Sequence, residues 1–183
     1  MYSDKHRQIL LNVARQSIDH GLKKGRPSPV NVGDFDAELA EHRATFVTLK
    51  LNGELRGCIG MLEAVRPLVA DVSDNAFAAA FKDGRFSPMT IGEFQKLSLS
   101  ISILSPAEPV LFSSEQDLLT KIRPGVDGLI LRDGYHRGTF LPSVWEQVGA
   151  SKEFLFHLKI KAGLPGNYWS DSIKIERYTT ESF

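Results

Sequence analysis

Hydrophobic positions recur along the chain with two different periods. From about 4 to 22, Ile9, Leu10, Val13, Ile18 and Leu22 fall near helical spacing, and the run ends in Gly-Leu-Lys-Lys-Gly-Arg-Pro, a linker composition. Thr45 to Leu51 then alternates as a strand, Asn52-Gly53 is a hairpin turn signal, and Glu54 to Gly60 returns as the partner strand. A regular two-residue loop sets Leu51 opposite Glu54, Leu49 opposite Arg56 and Val47 opposite Cys58. Arg56 and Cys58 would then share one sheet face, with Leu55 and Ile59 on the other. Leu68, Val69, Val72, Ala76, Ala79 and Ala80 form one helical stripe within about 66–83, with Pro67 at the first turn and Gly84 past the end. Thr90-x-x-Glu93 reads as a capping box opening a short helix, and Leu97 to Ile103 alternates cleanly as a strand.

The second half continues in the same vocabulary. A short helix is expected over about 114–122. Gly128 to Arg132, a turn at Asp133-Gly134, and Tyr135 to Leu141 make a second hairpin, in which His136 faces Leu131. Pro142 stands where a helix can start, ahead of Val144, Trp145 and Val148. Ser151 can cap a further helix that runs through Ala162 and ends at Gly163, and Ser172 to Tyr178 closes as a strand. Both halves therefore read strand, strand, helix, helix, strand. They also share G-x-x-R-G-[CT]-[IF], at Gly53–Ile59 and Gly134–Phe140, which sets Arg56 against Arg137 and Cys58 against Thr139. This pattern predicts an α+β fold: one domain, 1–183, with an N-terminal helix at about 4–22 and two β3-α2 repeats at about 44–105 and 126–178. The repeats would join in one curved, mostly antiparallel sheet flanked by helices.

Composition narrows the function classes. Twenty-two basic residues balance 22 acidic ones, so the strong basic footprint of a nucleic-acid binder is missing. No apolar run reaches the length of a membrane span, and the N-terminus lacks a signal-peptide core, so a cytoplasmic protein with no membrane contact is expected. Cys58 is the only cysteine, which leaves no intrachain disulfide and no cysteine-cluster metal site. The five histidines show no zinc-like spacing, and phosphate-loop, dinucleotide and nucleophile-elbow motifs are missing. No cofactor is expected.

Leu55-Arg56-Gly57-Cys58-Ile59-Gly60 resembles the signature of the AMMECR-type domain family. Phe81-Lys82-Asp83-Gly84-Arg85-Phe86-Ser87-Pro88 is similar to that family's K-D-S-R-F-x-P segment, with Gly84 in place of the usual Ser. Thr139-Phe140-Leu141-Pro142-Ser143-Val144 is similar to its T-[FY]-L-P-x-V segment, and Lys161-Ala162-Gly163 to the end of its penultimate helix. The resemblance spans nearly the whole chain. It implies two β3-α2 repeats around a barrel-like sheet. It also implies the bacterial and archaeal setting named AmmeMemoRadiSam, in which such a domain is component A beside a radical-SAM protein and a Memo-like protein. It implies no particular reaction.

The candidate chemistry gathers in these segments. Cys58, with Arg56 two residues away, has the makings of a nucleophile, since a nearby guanidinium favours the thiolate. Thr139 at the equivalent place, and the lack of a histidine base placed by sequence, point instead to a packed strand residue. Arg56 and Arg137 would clamp a carboxylate or phosphate, or else bond loop carbonyls and a carboxylate such as Asp83 or Asp127. Gly57 and Gly138 mark close backbone or ligand approach, or a bulge. Lys82 suits a helix C-terminus through the dipole, Arg85-Phe86 could stack on a planar group or pair and pack, and Asp83 and Pro142 complete the set. The leading expectation is an accessory or binding domain, with a cleft between the repeats for a small anionic ligand or a protein partner, rimmed by Arg56, Cys58, Arg85 and Thr139. A cysteine-dependent enzyme using Cys58 is the second reading. A nucleic-acid-associated module, suggested by Arg85-Phe86 and the Lys23, Lys24 and Arg26 linker, is the third, and zero net charge argues against it.

Overall fold

A computed structural model describes residues Met1–Phe183. Its elements are, in order, α1 (Asp4–Lys24), α2 (Ala37–Ala40), β1 (Thr45–Leu51), β2 (Glu54–Gly60), α3 (Leu68–Phe81), α4 (Ile91–Phe94), β3 (Leu97–Leu104), β4 (Glu108–Pro109), α5 (Glu115–Lys121), β5 (Gly128–Asp133), β6 (His136–Phe140), α6 (Trp145–Val148), α7 (Ser151–Lys161), β7 (Lys174–Tyr178) and β8 (Thr180–Ser182). The strands form two open four-stranded sheets, ordered β2-β1-β3-β8 and β4-β7-β5-β6, where the sequence predicted a single curved one. The chain divides into two units: Met1–Leu104 with Glu181–Phe183, and Ser105–Thr180.

In the first unit, α1 and α3 cover one face of the sheet. Leu10, Ala14 and Ile18 of α1, Val69, Val72 and Ala76 of α3, and Val47, Leu49 and Ile101 of the strands make one core. Asn52 and Gly53 both have positive φ, as a type I′ turn requires. The register beyond the turn differs from the sequence expectation. Leu51 pairs with Glu54 and Lys50 with Leu55, but Leu49 pairs with Gly57 and Thr48 with Cys58. Arg56 is the extra residue of a β-bulge, which shifts the pairing by one. Leu55 and Ile59 consequently lie on opposite faces, since their partners Lys50 and Val47 do. At the C-terminus, the Phe183 and Ile101 backbones exchange hydrogen bonds of 2.9 and 3.1 Å, and the Glu181 carboxylate accepts from the Arg7 guanidinium.

In the second unit, α7 packs on the β5–β6 hairpin around Leu129, Leu131, Phe154, Leu155, Leu158 and Ile175. Trp145 stacks on Phe154 at 3.8 Å between ring centroids, and its indole N–H donates to the Asp127 carbonyl at 2.7 Å. The turn is Gly134-Tyr135, one residue later than expected, and of its two residues only Gly134 has positive φ. Glycine at the first central position is what a type II′ turn demands. His136 therefore pairs with Asp133 and not with Leu131, and Leu131 pairs with Gly138. Ser151 is the first residue of α7, and the flanking Ala150 makes no side-chain cap. No helix is long and apolar enough to cross a membrane.

Candidate functional site

The bulge creates the main feature of the first unit. It turns the Arg56 side chain under the segment between α3 and β3, where the residue is 8% exposed. Its Nε donates to Glu93 Oε1 at 2.7 Å, and its Nη2 donates to Glu93 Oε2 at 3.2 Å and to the Ser87 carbonyl at 2.8 Å. Glu93 is the N3 residue of the capping box that opens α4, and its Oε2 also accepts from the Thr90 N–H at 2.8 Å. This carboxylate is lowered from its ordinary 4.5 to about 2, mainly by the Arg56 bond and next by the Thr90 N–H. The capping box was legible in the sequence; the second duty of its glutamate was not.

Gly57 follows, and α3 lies against it. A Cβ there would stand 2.2 Å from the Ala79 carbonyl oxygen, so only glycine lets helix and hairpin approach this closely. Gly138 plays the same part in the second unit, where a Cβ would meet the Ala162 nitrogen at 2.8 Å. At Gly57 another backbone approaches, and the bulged residue is its neighbour Arg56.

Cys58 lies on the outer strand of its sheet and is half-buried. Its N–H donates to Asp83 Oδ2 at 2.9 Å, and its carbonyl accepts from Arg85 Nη2 at 3.4 Å. A side-chain pair therefore takes the place of a neighbouring strand. Asp83 is buried and also accepts from Arg85 through its N–H, Nε and Nη2. These bonds, Arg85's side chain first, hold the Asp83 carboxyl far below the usual range. The Cys58 Sγ lies 3.3 Å from Thr48 Oγ1, and no imidazole or carboxylate is hydrogen-bonded to it.

Two guanidiniums lie over the Phe86 ring, with the Arg56 and Arg85 carbons 5.6 and 5.5 Å from its centroid. Arg85 keeps 57% of its side chain exposed. Lys82 places its ammonium 5.4 Å from the Phe77 ring centroid. Of the predicted residues, Arg56, Gly57, Cys58, Asp83, Arg85 and Phe86 come together. Arg137, Thr139 and Pro142 belong to the second unit. There Arg137 pairs across the hairpin with Arg132, and Pro142 opens a short 3-10 turn. Thr139 Oγ1 donates to the Leu129 carbonyl at 2.8 Å and lies 3.2 Å from the Tyr178 hydroxyl, which burial pushes up to about 12. The hydroxyl of Thr139 is thus anchored to backbone, whereas the thiol of Cys58 faces another hydroxyl. No group of three or more His, Cys, Asp or Glu side chains is arranged to hold a metal ion.

The AMMECR1 family model matches residues 11–183. Protein MJ0810 of Methanocaldococcus jannaschii is 40% identical over 147 residues, covering 78% of this chain and 73% of its own length. A protein of Methanothermobacter thermautotrophicus is 36% identical over 178 residues, covering 96% of this chain and 92% of its own. The crystal structure of the uncharacterized protein PH0010 from Pyrococcus horikoshii has the same fold, with a TM-score of 0.88 at 34% identity over 98% of this chain and 91% of that one. On fold, motif order and matched length together, the chain belongs to the AMMECR1 family.

Proposed function

We propose that the protein is a binding module in which the Arg56–Phe86–Arg85 stack and the edge of β2 form a fixed docking surface. One observation supports this reading above others. The arginines of the signature segments are each matched by a carboxylate, Arg56 by Glu93 of the α4 capping box and Arg85 by Asp83, while Arg85 still presents more than half of its side chain to solvent. Groups so paired hold a surface in shape, and the two carboxyls, Asp83 and Glu93, are held far below neutral and are poorly suited to proton transfer. Arg85 Nη1 makes no hydrogen bond, so an anionic group of a ligand or a partner has a donor waiting on a pre-ordered guanidinium. In the setting that the sequence resemblance implies, the partners are the radical-SAM and Memo-like proteins.

Cysteine catalysis is less well supported. The thiol's neighbour is the Thr48 hydroxyl, a poor base, and Thr139 stands at the repeat-equivalent position. Alkylation of the native protein against pH tests this point. A thiol that reacts only as pH approaches about 8.5 fits the binding reading, and rapid alkylation near neutrality would favour the enzyme.

A further inference from the structure

The second unit carries a groove that the signature segments do not touch. It lies beside β7, has a volume of about 490 Å³, and is lined by Leu111, Phe112, Arg132, Asp171, Lys174 and Glu176 among others. That volume is in the range of small-molecule sites. Two features ask for an occupant. Leu111 is 82% exposed yet held in place: its carbonyl accepts from Lys121 Nζ at 2.9 Å, and the N–H of Val110 donates to the Ile175 carbonyl at 2.8 Å. A fixed leucine facing water forgoes about 1.5–3 kcal/mol of burial. Phe112 packs against Trp169, 5.7 Å between ring centroids, and against the core of its unit.

The groove's two cations and two carboxylates are only partly paired. Arg132 and Lys174 are directly opposed in the β5–β7 register, which places two cations side by side on one face. Like charges in that position repel. Glu176 relieves one of them, accepting from Arg132 Nε at 3.1 Å, while Lys174 has no hydrogen-bond or ion-pair partner. The remaining guanidinium donors and the free ammonium line the same groove as Leu111 and Phe112, with the Asp171 carboxylate also in the lining.

We propose that this groove binds an amphipathic monocarboxylate, its head on Lys174 and Arg132 and its hydrocarbon body on Leu111 and Phe112. The proposal is independent of the Arg85 surface and uses none of its residues. Octanoate is the probe, titrated into the full chain labelled for backbone amide NMR. Saturable shifts centred on Val110–Phe112 and Lys174–Glu176 are expected. Lys174→Glu and Leu111→Asp should each weaken binding by about tenfold or more, and Lys174→Arg should retain it. Both positions are exposed, so these variants fold. Octan-1-ol, which keeps the body and lacks the charge, should bind at least about tenfold more weakly. Three results would overturn the proposal: no saturable shifts in the groove, equal affinity for octanol, or binding of a leucine-terminated peptide without binding of octanoate.

Discussion

Gly57 and Gly138 stand at matching points of two hairpins, yet their tolerances differ. An added methyl meets a carbonyl oxygen at 2.2 Å in the first unit and a nitrogen at 2.8 Å in the second. Gly57→Ala should therefore cost upwards of about 3 kcal/mol and Gly138→Ala about 1–3 kcal/mol, measured by urea unfolding. Arg56 gives a second residue-scale prediction. Arg56→Ala removes a buried guanidinium but leaves Glu93, whose side chain is 30% exposed, free to rehydrate. The expected loss is about 2–3 kcal/mol, below that of a fully buried pair. The acid dependence follows from Glu93 itself. Its carboxyl is lowered in the folded state, so its contribution is complete above the ordinary 4.5 and is lost as pH falls toward about 2. Stability of the wild type should drop across that window, and Glu93→Gln should show a shallower drop in the same titration.

At the scale of elements, periodicity identified α1, α3, β1 and β3, because their apolar stripes are long enough to repeat, while turn and cap residues marked the second hairpin and α7. It did not reveal β4, β8 or α2, of two to four residues each, which are too short to show a period. Register failed for a definite reason. The two hairpins have the same sequence spacing from glycine to glycine, but the first turns at Asn52-Gly53 and takes up the extra residue in a bulge at Arg56, while the second turns one position later, at Gly134-Tyr135, with no bulge. The choice between them rests on which turn residue accepts positive φ and on what the bulged side chain can reach. For Arg56 that is Glu93, 37 positions away in sequence. The edge of β2 gives the prediction at this scale. Asp83 occupies the Cys58 N–H, so Asp83→Ala leaves an open strand edge. Concentration-dependent self-association is expected by sedimentation velocity, and a variant that stays monomeric at all concentrations would show that the cap does not guard the edge.

For the molecule as a whole, the sequence conveyed the repeated order of elements and the family, while the division into two sheets appeared only in the structure. Each unit has its own hydrophobic cluster, one around Leu10, Val47 and Val72 and the other around Leu129, Phe154 and Ile175. Phe154→Ala should cost about 3–5 kcal/mol and lower amide-exchange protection mainly within Ser105–Thr180. Equal loss in Met1–Leu104 would show one cooperative core. The central claim is the proposed docking role of the signature segments, with Arg85 as the contact residue and Cys58 as a structural one. Calorimetric titration with the purified radical-SAM and Memo-like proteins tests it most directly, comparing wild type, Arg85→Ala and Cys58→Thr. The account predicts that Cys58→Thr binds at least one of these partners as wild type does, and that Arg85→Ala binds it at least about tenfold more weakly. Unchanged binding by Arg85→Ala, or loss of binding by Cys58→Thr, would contradict it.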